Sequence, residues 1–478
     1  MTESVSYSHS NSHSHSESKR PSLPDIDDET AFIESLANDI HYDIINNEYP
    51  TKIIINKIFN KKRYNKSIWK QESELNVAHS VVCHEPGNES LFGATHPCGA
   101  LFEQPLSIDK AKKEFKIFKN KLKKNNVNPL TVREILVSKN SNRNDLINFA
   151  MNCLHYKLIN QNKNIKSMNN YTRYISDKYK LSVLKKFTKN ELIDIILAQP
   201  TIELEKCHQN TGYITKSINL NPLMNLIFCR DQQFTTNNGI VMGSMNSYQR
   251  KNETVLMKYV WNTLNAPIIY EINNSNNDKF IEGGDFIPIN NDYCLIGCGL
   301  RTNLNAIKDC LANDVFGTKY VCIVLDKYDQ NQDRMHLDCV FNVVSSKYCV
   351  LLDTIINHKT NPNKIRHIIK YERTKVDNKH YYVKCNDDDD LIEFTHFIKS
   401  ELKMNIIPVT NEQQLKYMIN FINLGNGRIF CVNKHLNNVL KKHMKTNDYN
   451  NIKCQYFDFT NITSMYGAAH CCSQVFRQ

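Results

Sequence analysis

The sequence predicts an α/β protein, on two observations. Short runs that are apolar or β-branched at nearly every position recur in its second half: YCLIGCG at Tyr293, KYVCIVLD at Lys319, KYCVLLD at Lys347 and RIFCVN at Arg428. Runs of this kind read as strands buried on both faces, and helical patterns lie between some of them, as expected where helices cover sheets.

Residues 1 to 28 are Ser, His, Asp and Pro in low-complexity order and read as a disordered tail, its HSNSHSHS run included. Residues 29–75 form an N-terminal helical extension, in which Ile33, Leu36, Ile40 and Ile44 mark a short amphipathic helix. Continuous folding is expected from Asn76, where NVAHSVVCHEPG reads as a strand closed by a turn. The basic tract from Lys110 to Lys124 places Ile108, Ala111, Phe115, Phe118 and Leu122 on one face, which predicts a helix docked on a core with its lysines in water. From about Leu130 to Pro200 the pattern is helical. Thr188 and Glu191 form a capping box at the start of the last helix and Pro200 stops it. The acidic run Asp387 to Asp390 reads as a solvated loop, and no repeat of fixed period is visible.

A chain of 478 residues with 41% hydrophobic side chains can bury a sizeable core. No apolar run is long enough to cross a bilayer, and the first twenty residues hold no apolar signal segment, so the cytoplasm is the expected compartment. The 16 cysteines show no Cys-x-x-Cys pair and read mostly as buried, reduced hydrophobes. The formal charge of +11 comes from lysines scattered among asparagines rather than gathered in a patch, so neither nucleic acid nor a membrane is expected as a partner.

Three segments carry polar groups inside apolar surroundings. NLIFCRDQQF sets Arg230 and Asp231 after an apolar run, where α/β folds keep their sites, though a local salt bridge is the plainer reading. FIEGGDFIPI places two glycines between Glu282 and Asp285, a pattern for close backbone approach that aims both carboxylates inward. MHLDCVF, read as a strand, points His336 and Asp338 to one face and Leu337 and Cys339 to the other. The vicinal thiols Cys471 and Cys472 in YGAAHCCSQVFRQ are either core residues of a last strand or include a nucleophile. Taken together, these segments supply a nucleophile, an acid/base and several inward carboxylates, and a planar guanidinium would neutralise such carboxylates bidentately.

The ordered segments NPLMNLIFCRDQQF, QRKNET, IEGGDFIPI, CGLRTN, MHLDCVF, HLNNVLKKH and the final Gly-x-x-His-Cys resemble arginine deiminase, of the guanidino-group-modifying superfamily. The resemblance runs from about Asn76 onward. It implies a five-bladed pseudo-symmetric α/β propeller of ββαβ units, with the 130–200 stretch as a helical insertion, in a homodimer or larger homo-oligomer. It implies hydrolysis of L-arginine to L-citrulline and ammonia, through a covalent cysteine thiouronium and with neither metal nor organic cofactor. Cys471 would be the nucleophile, His336 the acid and then base, Asp231 and Asp338 the guanidinium grip, and Glu282 the group that orients His336. Arg250 and Arg301, with Asn225, would hold the α-carboxylate.

The chain departs from the family in four places. Ala468 and Ala469 stand where the family has glycines, Cys472 where it often has methionine, and Tyr466 where some members carry a gating arginine. Gln232 and Gln233 replace the more usual residues beside Asp231 and would touch the pocket wall. Agmatine deiminase, amidinotransferase and a silent arginine-binding scaffold are the competing readings. Agmatine needs no pair of carboxylate-binding arginines, and a scaffold needs no nucleophile.

Overall fold

Strands form where the sequence is apolar on both faces. In the segments Tyr293–Cys298, Tyr320–Leu325 and Tyr348–Leu352 nearly every side chain is buried. The computed structural model describes residues 69–159, 173–207, 212–385 and 391–477. The tail, the helix expected at 33–44 and the acidic run 387–390 lie outside the described residues.

Five of the sheets share one plan: two antiparallel strands, a connection containing a helix, and a third strand parallel to the second. The first set is Gln233–Thr235, Ile240–Met242 and Ile268–Glu271, with helix Lys251–Thr263 in the connection. In the second, Phe286–Pro288, Tyr293–Cys298 and Tyr320–Leu325 carry helix Leu304–Ala312. Phe341–Ser345, Tyr348–Leu352 and Asn405–Val409 follow, and their connection contains helix Phe394–Ser400. It also contains the hairpin His367–Val376 and Lys379–Lys384, which returns to widen the second sheet. Ile422–Asn423, Arg428–Cys431 and Lys453–Tyr456 form the fourth set, with helix Leu436–His443.

The fifth set joins distant parts of the chain. Strand Gln474–Arg477 runs antiparallel to Ala78–Cys83, which then crosses through helix Ile108–Lys124 to the parallel strand Asn128–Thr131. Helix Ile108–Lys124 starts at Ser107, whose side chain accepts from Lys110 N, and buries the five apolar residues expected of it. Glu114 on the same face is also buried and accepts backbone N–H bonds from Asn461 and Ile462.

The 130–200 stretch contains helices Val132–Val137, Arg143–Cys153, Asp177–Leu184 and Lys189–Ala198, the last with its capping box at Thr188 and Glu191. It is not helical throughout, because His155–Ile159 is a strand. That strand pairs in parallel with Pro200–Lys206, which pairs in turn with Tyr213–Leu220. The short run HYKLI has no helical stripe of its own, and a partner strand decides its state. Ahead of Asn76, Gln71, Ser73 and Glu74 are already buried. Among the described residues no helix is long and apolar enough to cross a membrane.

Phe476, on the last described strand, ties the fifth sheet to its neighbours by edge-on contacts with Trp69 at 4.9 Å and Trp261 at 5.4 Å between ring centroids. Truncating such a residue removes transfer energy and leaves a cavity. Phe476→Ala is therefore expected to destabilise the fold by about 3–5 kcal/mol, measured as a lowered urea midpoint at unchanged slope.

Candidate active site

The turns that connect these sheets bring the sequence-predicted residues together. Asn225, Asp231, Arg250, Arg301, His336 and Cys471 line one pocket, and Glu282 and Asp338 lie directly behind its wall. All eight are buried.

Cys471 sits on the turn before strand Gln474–Arg477 and opens into the pocket. Cys472 is fully buried among apolar side chains, at 0% exposure against 7% for Cys471. Geometry thus gives pocket access to the first thiol alone of this pair. The methyls of Ala468 and Ala469 are both fully buried and stay out of the pocket lining. Gly467 keeps its place for a steric reason: a Cβ there would lie 2.3 Å from the Phe228 ring. Burial pushes the Cys471 thiol well above its ordinary pKa, and the Asp338 and Asp231 carboxylates push it further.

His336 Nε2 bonds Glu282 Oε2 at 2.8 Å, and Nδ1 faces Asp231 Oδ1 at 3.7 Å. Burial alone would lower its pKa. The negative charges of Asp231, Glu282 and Asp285 outweigh burial and lift it to about 10. Ligand atoms of Asp231, Glu282 and His336 lie within 4.8 Å of one another. An imidazolium offers no lone pair, so at neutral pH His336 is poorly suited to hold a metal there.

The two glycines of EGGD let backbone and ring close in. A Cβ on Gly283 would meet the carbonyls of Arg230 and Gln233 at 2.1 Å, and one on Gly284 would meet the His336 ring at 2.6 Å. Glu282 and Asp285 both point inward, as expected. MHLDCVF is not a strand. His336 precedes a 3₁₀ turn, Leu337–Cys339, so three residues per turn replace the two-residue alternation. As a result Cys339 lines the pocket while Leu337 joins the core.

Arg230 and Asp231 do not pair with each other. Arg230 turns to the His470 carbonyl and to Glu74, while Asp231 Oδ2 takes Arg250 Nη1 at 2.7 Å. Arg250 also bonds Glu253 through Nε, and the Asn225 and Phe228 carbonyls through Nη2, so its donors are engaged within the protein. Arg301 is freer. Its Nη2 donates to Gln332 Oε1 at 3.1 Å and its Nε has no hydrogen-bond partner. Asp231 Oδ1 likewise has none. Gln232 and Gln233 lie behind the wall rather than on it, bonded to Glu253 and to the Cys229 carbonyl.

Sequence reasoning missed several residues that shape the site. Asn420 Oδ1 accepts the backbone N–H groups of His470 and Cys471, and its Nδ2 lies 3.1 Å from Cys471 Sγ. The signal was an amide inside an apolar run, INFINL, which a strand core would otherwise exclude. Asp285, aimed inward by the sequence but given no role there, accepts from Leu337 N and the Thr302 hydroxyl and so holds the His336 turn; burial raises its pKa to about 6. His470 Nδ1 bonds Asp338 Oδ2 at 2.7 Å. At the rim, Tyr466 occupies the left-handed region (φ 82°), with its hydroxyl held by Asp333.

A family model described as arginine deiminase matches residues 99–477. The arginine deiminase of Oenococcus oeni is 26% identical over 319 residues, 64% of this chain and 73% of that protein. That of Borreliella burgdorferi is 26% identical over 329 residues, 64% and 75% of the two chains. For that of Limosilactobacillus fermentum the match is 27% identical over 168 residues, spanning 40% of the relative. Among solved structures, a dimethylarginine dimethylaminohydrolase from Pseudomonas aeruginosa complexed with citrulline covers 84% of this chain and 100% of its own, at 11% identity and a TM-score of 0.46.

The charge on His336 is open to direct measurement. Nitrogen chemical shifts of histidine-labelled protein should show its imidazolium intact at neutral pH and titrating near 10. Because the folded pKa is raised from 6.5, the stabilisation from the charged ring is full below pH 6.5 and is lost as pH rises through about 10. The destabilisation caused by His336→Asn should accordingly shrink over that window.

Proposed function

Because the chain belongs to the arginine deiminase family, we propose that it hydrolyses L-arginine to L-citrulline and ammonia at this pocket, as a hydrolase of linear amidine C–N bonds. The observation that carries the reading is the convergence on one pocket of a thiol, a carboxylate-flanked histidine and Asp231 Oδ1, an acceptor with no hydrogen-bond partner in the protein. We further infer that the five repeated ββαβ sets are the blades of a five-bladed propeller around this site.

The steps follow from the charges. The substrate guanidinium seats against Asp231 Oδ1 and Asp338 and neutralises two carboxylates that hold the Cys471 thiol protonated. The thiol then releases its proton to solvent, and Sγ attacks the guanidinium carbon. The His336 imidazolium protonates the departing nitrogen, which leaves as ammonia, and a thiouronium on Cys471 remains. The ring, now neutral, takes a proton from water as that water attacks the same carbon. Collapse of the adduct breaks the C–S bond and frees citrulline. Glu282 holds Nε2 and so keeps Nδ1 on the Asp231 side. None of these steps routes through a metal or an organic cofactor.

On this reading Arg301, whose Nε has no hydrogen-bond partner, holds the α-carboxylate, assisted by Asn225, whose Nδ2 also donates to the Ala100 carbonyl at 3.0 Å. Arg250 serves Asp231 in this state. An available arginine on the pocket wall favours arginine over agmatine, which has no carboxylate. Transfer of the amidino group to an amine would begin with the same attack by Cys471 but would expel ornithine and leave an amidino-cysteine for the amine to attack. We take the site to work in a cytoplasmic homo-oligomer.

Citrulline release from arginine tests the proposal. Cys471→Ser is expected to lose activity by on the order of 10⁴-fold or more, while Cys472→Ala continues to turn over. Loss of activity in Cys472→Ala alone, or release of ornithine in place of citrulline and only when an amine acceptor is present, would overturn it.

A second expectation concerns the free thiol. Alkylation of Cys471 by iodoacetamide should still be accelerating at about pH 9, beyond the ordinary thiol range, and arginine should slow it. A plateau near neutral pH would mean that the thiolate exists before substrate binds.

A further inference from the structure

Behind the nucleophile lies a chain of buried ionisable groups that the proposed reaction does not use. Arg477 Nη2 pairs with Glu74 Oε2, and Arg230 Nη1 stands 3.7 Å from Glu74 Oε1. His470 Nε2 faces the same oxygen at 3.7 Å, while its Nδ1 bonds Asp338 Oδ2 at 2.7 Å. Asp338 Oδ2 in turn lies 3.7 Å from Cys471 Sγ. Each of these five groups is at most 3% exposed.

We infer that Glu74 is a positioning residue, which holds the Asp338 carboxylate in register with the Cys471 thiol by orienting the His470 ring between them. The inference rests on the roles proposed above for Asp338 and Cys471. The His470 ring lies between two carboxylates, and its Nε2 makes no hydrogen bond shorter than the approach to Glu74. A ring flip would turn carbon toward both acids, so with a proton on each ring nitrogen the charge at Glu74 favours the orientation that donates Nδ1–H to Asp338. That bond occupies one side of Oδ2 and fixes the carboxylate plane against which a guanidinium would lie.

Glu74 is itself immobilised. Its amide donates to the Pro288 carbonyl at 3.0 Å, Gln71 Nε2 donates to its Oε1 at 3.1 Å, and the Ser73 hydroxyl donates to the Ile289 carbonyl at 2.6 Å. Arg477, His470 and Arg230 outweigh its burial and hold its carboxyl well below the usual range, so it stays charged. The segment ahead of strand Ala78–Cys83 thereby reaches toward the reaction centre, with the His470 and Asp338 side chains between Glu74 and Cys471.

A purely structural Glu74 would only neutralise Arg477, and a double-mutant cycle on the full chain separates the two roles. Wild type, Glu74→Gln, His470→Gln and the double variant are each assayed for citrulline release and for the pH profile of Cys471 alkylation by iodoacetamide. If Glu74 acts through His470, both single variants lose about 10–100-fold in rate, the scale seen when an orienting partner is removed. The double variant then loses no more than the worse single, and all three alkylation profiles shift together. Multiplicative losses, or a Glu74→Gln alkylation profile superimposed on wild type, would overturn the inference. Should Glu74→Gln fail to fold because Arg477 is left unpaired, the same cycle is run in an Arg477→Met background. If the wild type releases no citrulline, the arginine reading falls, while the alkylation profiles still decide the role of Glu74.

Discussion

The site depends on one electrostatic constraint: six carboxylates, those of Glu74, Asp231, Glu253, Glu282, Asp285 and Asp338, are buried around a single pocket. Burial of an unpaired carboxylate costs several kcal/mol, so each must find a cation or a set of donors. Arg477 and Arg230 serve Glu74, Arg250 serves Asp231 and Glu253, His336 serves Glu282, and His470 serves Asp338. Asp285 has only a hydroxyl and a backbone N–H, and its raised pKa of about 6 is the consequence. The same constraint that makes His336 an imidazolium keeps Cys471 a thiol, because negative charge favours one proton on each.

Topology then decides where these charges meet. Cys471 and His470 reach the pocket because strand Gln474–Arg477 is the first member of a sheet whose other two strands come from residues 78–131. Asn420 fastens the turn by accepting two consecutive N–H groups, and the Cys471 carbonyl accepts from Arg230 N at 3.1 Å. Cys471 is therefore held by three segments distant in sequence. Trp261, Trp69 and Phe476 supply the apolar contacts that keep this closing sheet in place.

Much of this was legible in the sequence, and the residues say why. Strands apolar on both faces and helices with a five-residue stripe, such as Ile108 to Leu122, announce themselves because burial dictates their composition. Thr188 and Glu191 announce a helix start because the capping box is local. The His-x-Asp turn was misread because a three-residue 3₁₀ turn between buried elements has no periodicity long enough to distinguish it from a strand. The strand His155–Ile159 was hidden for a related reason: its pairing partner lies more than forty residues away. Glu74, Asn420 and His470 were illegible as site residues because their roles exist only through contacts between segments 50 to 400 residues apart.

Arg250 shows how a correct residue can carry a different role from the one its motif suggests. Its Nη1 takes Asp231 Oδ2, and Oδ1 of the same carboxylate is left without a partner on the pocket side. A carboxylate binds a planar cation along an edge or oxygen by oxygen. Here a resident guanidinium occupies one oxygen and, on the reading proposed above, a substrate guanidinium takes the other. The resident cation fixes the plane of Asp231 and spares the fold an unpaired buried charge when the pocket is empty. It also limits that carboxylate to a single further contact, so a firm grip on the substrate needs a second acid. On that reading Asp338 is the second acid, held from behind by His470, and the two carboxylates approach the pocket from turns whose positions are set by different sheets.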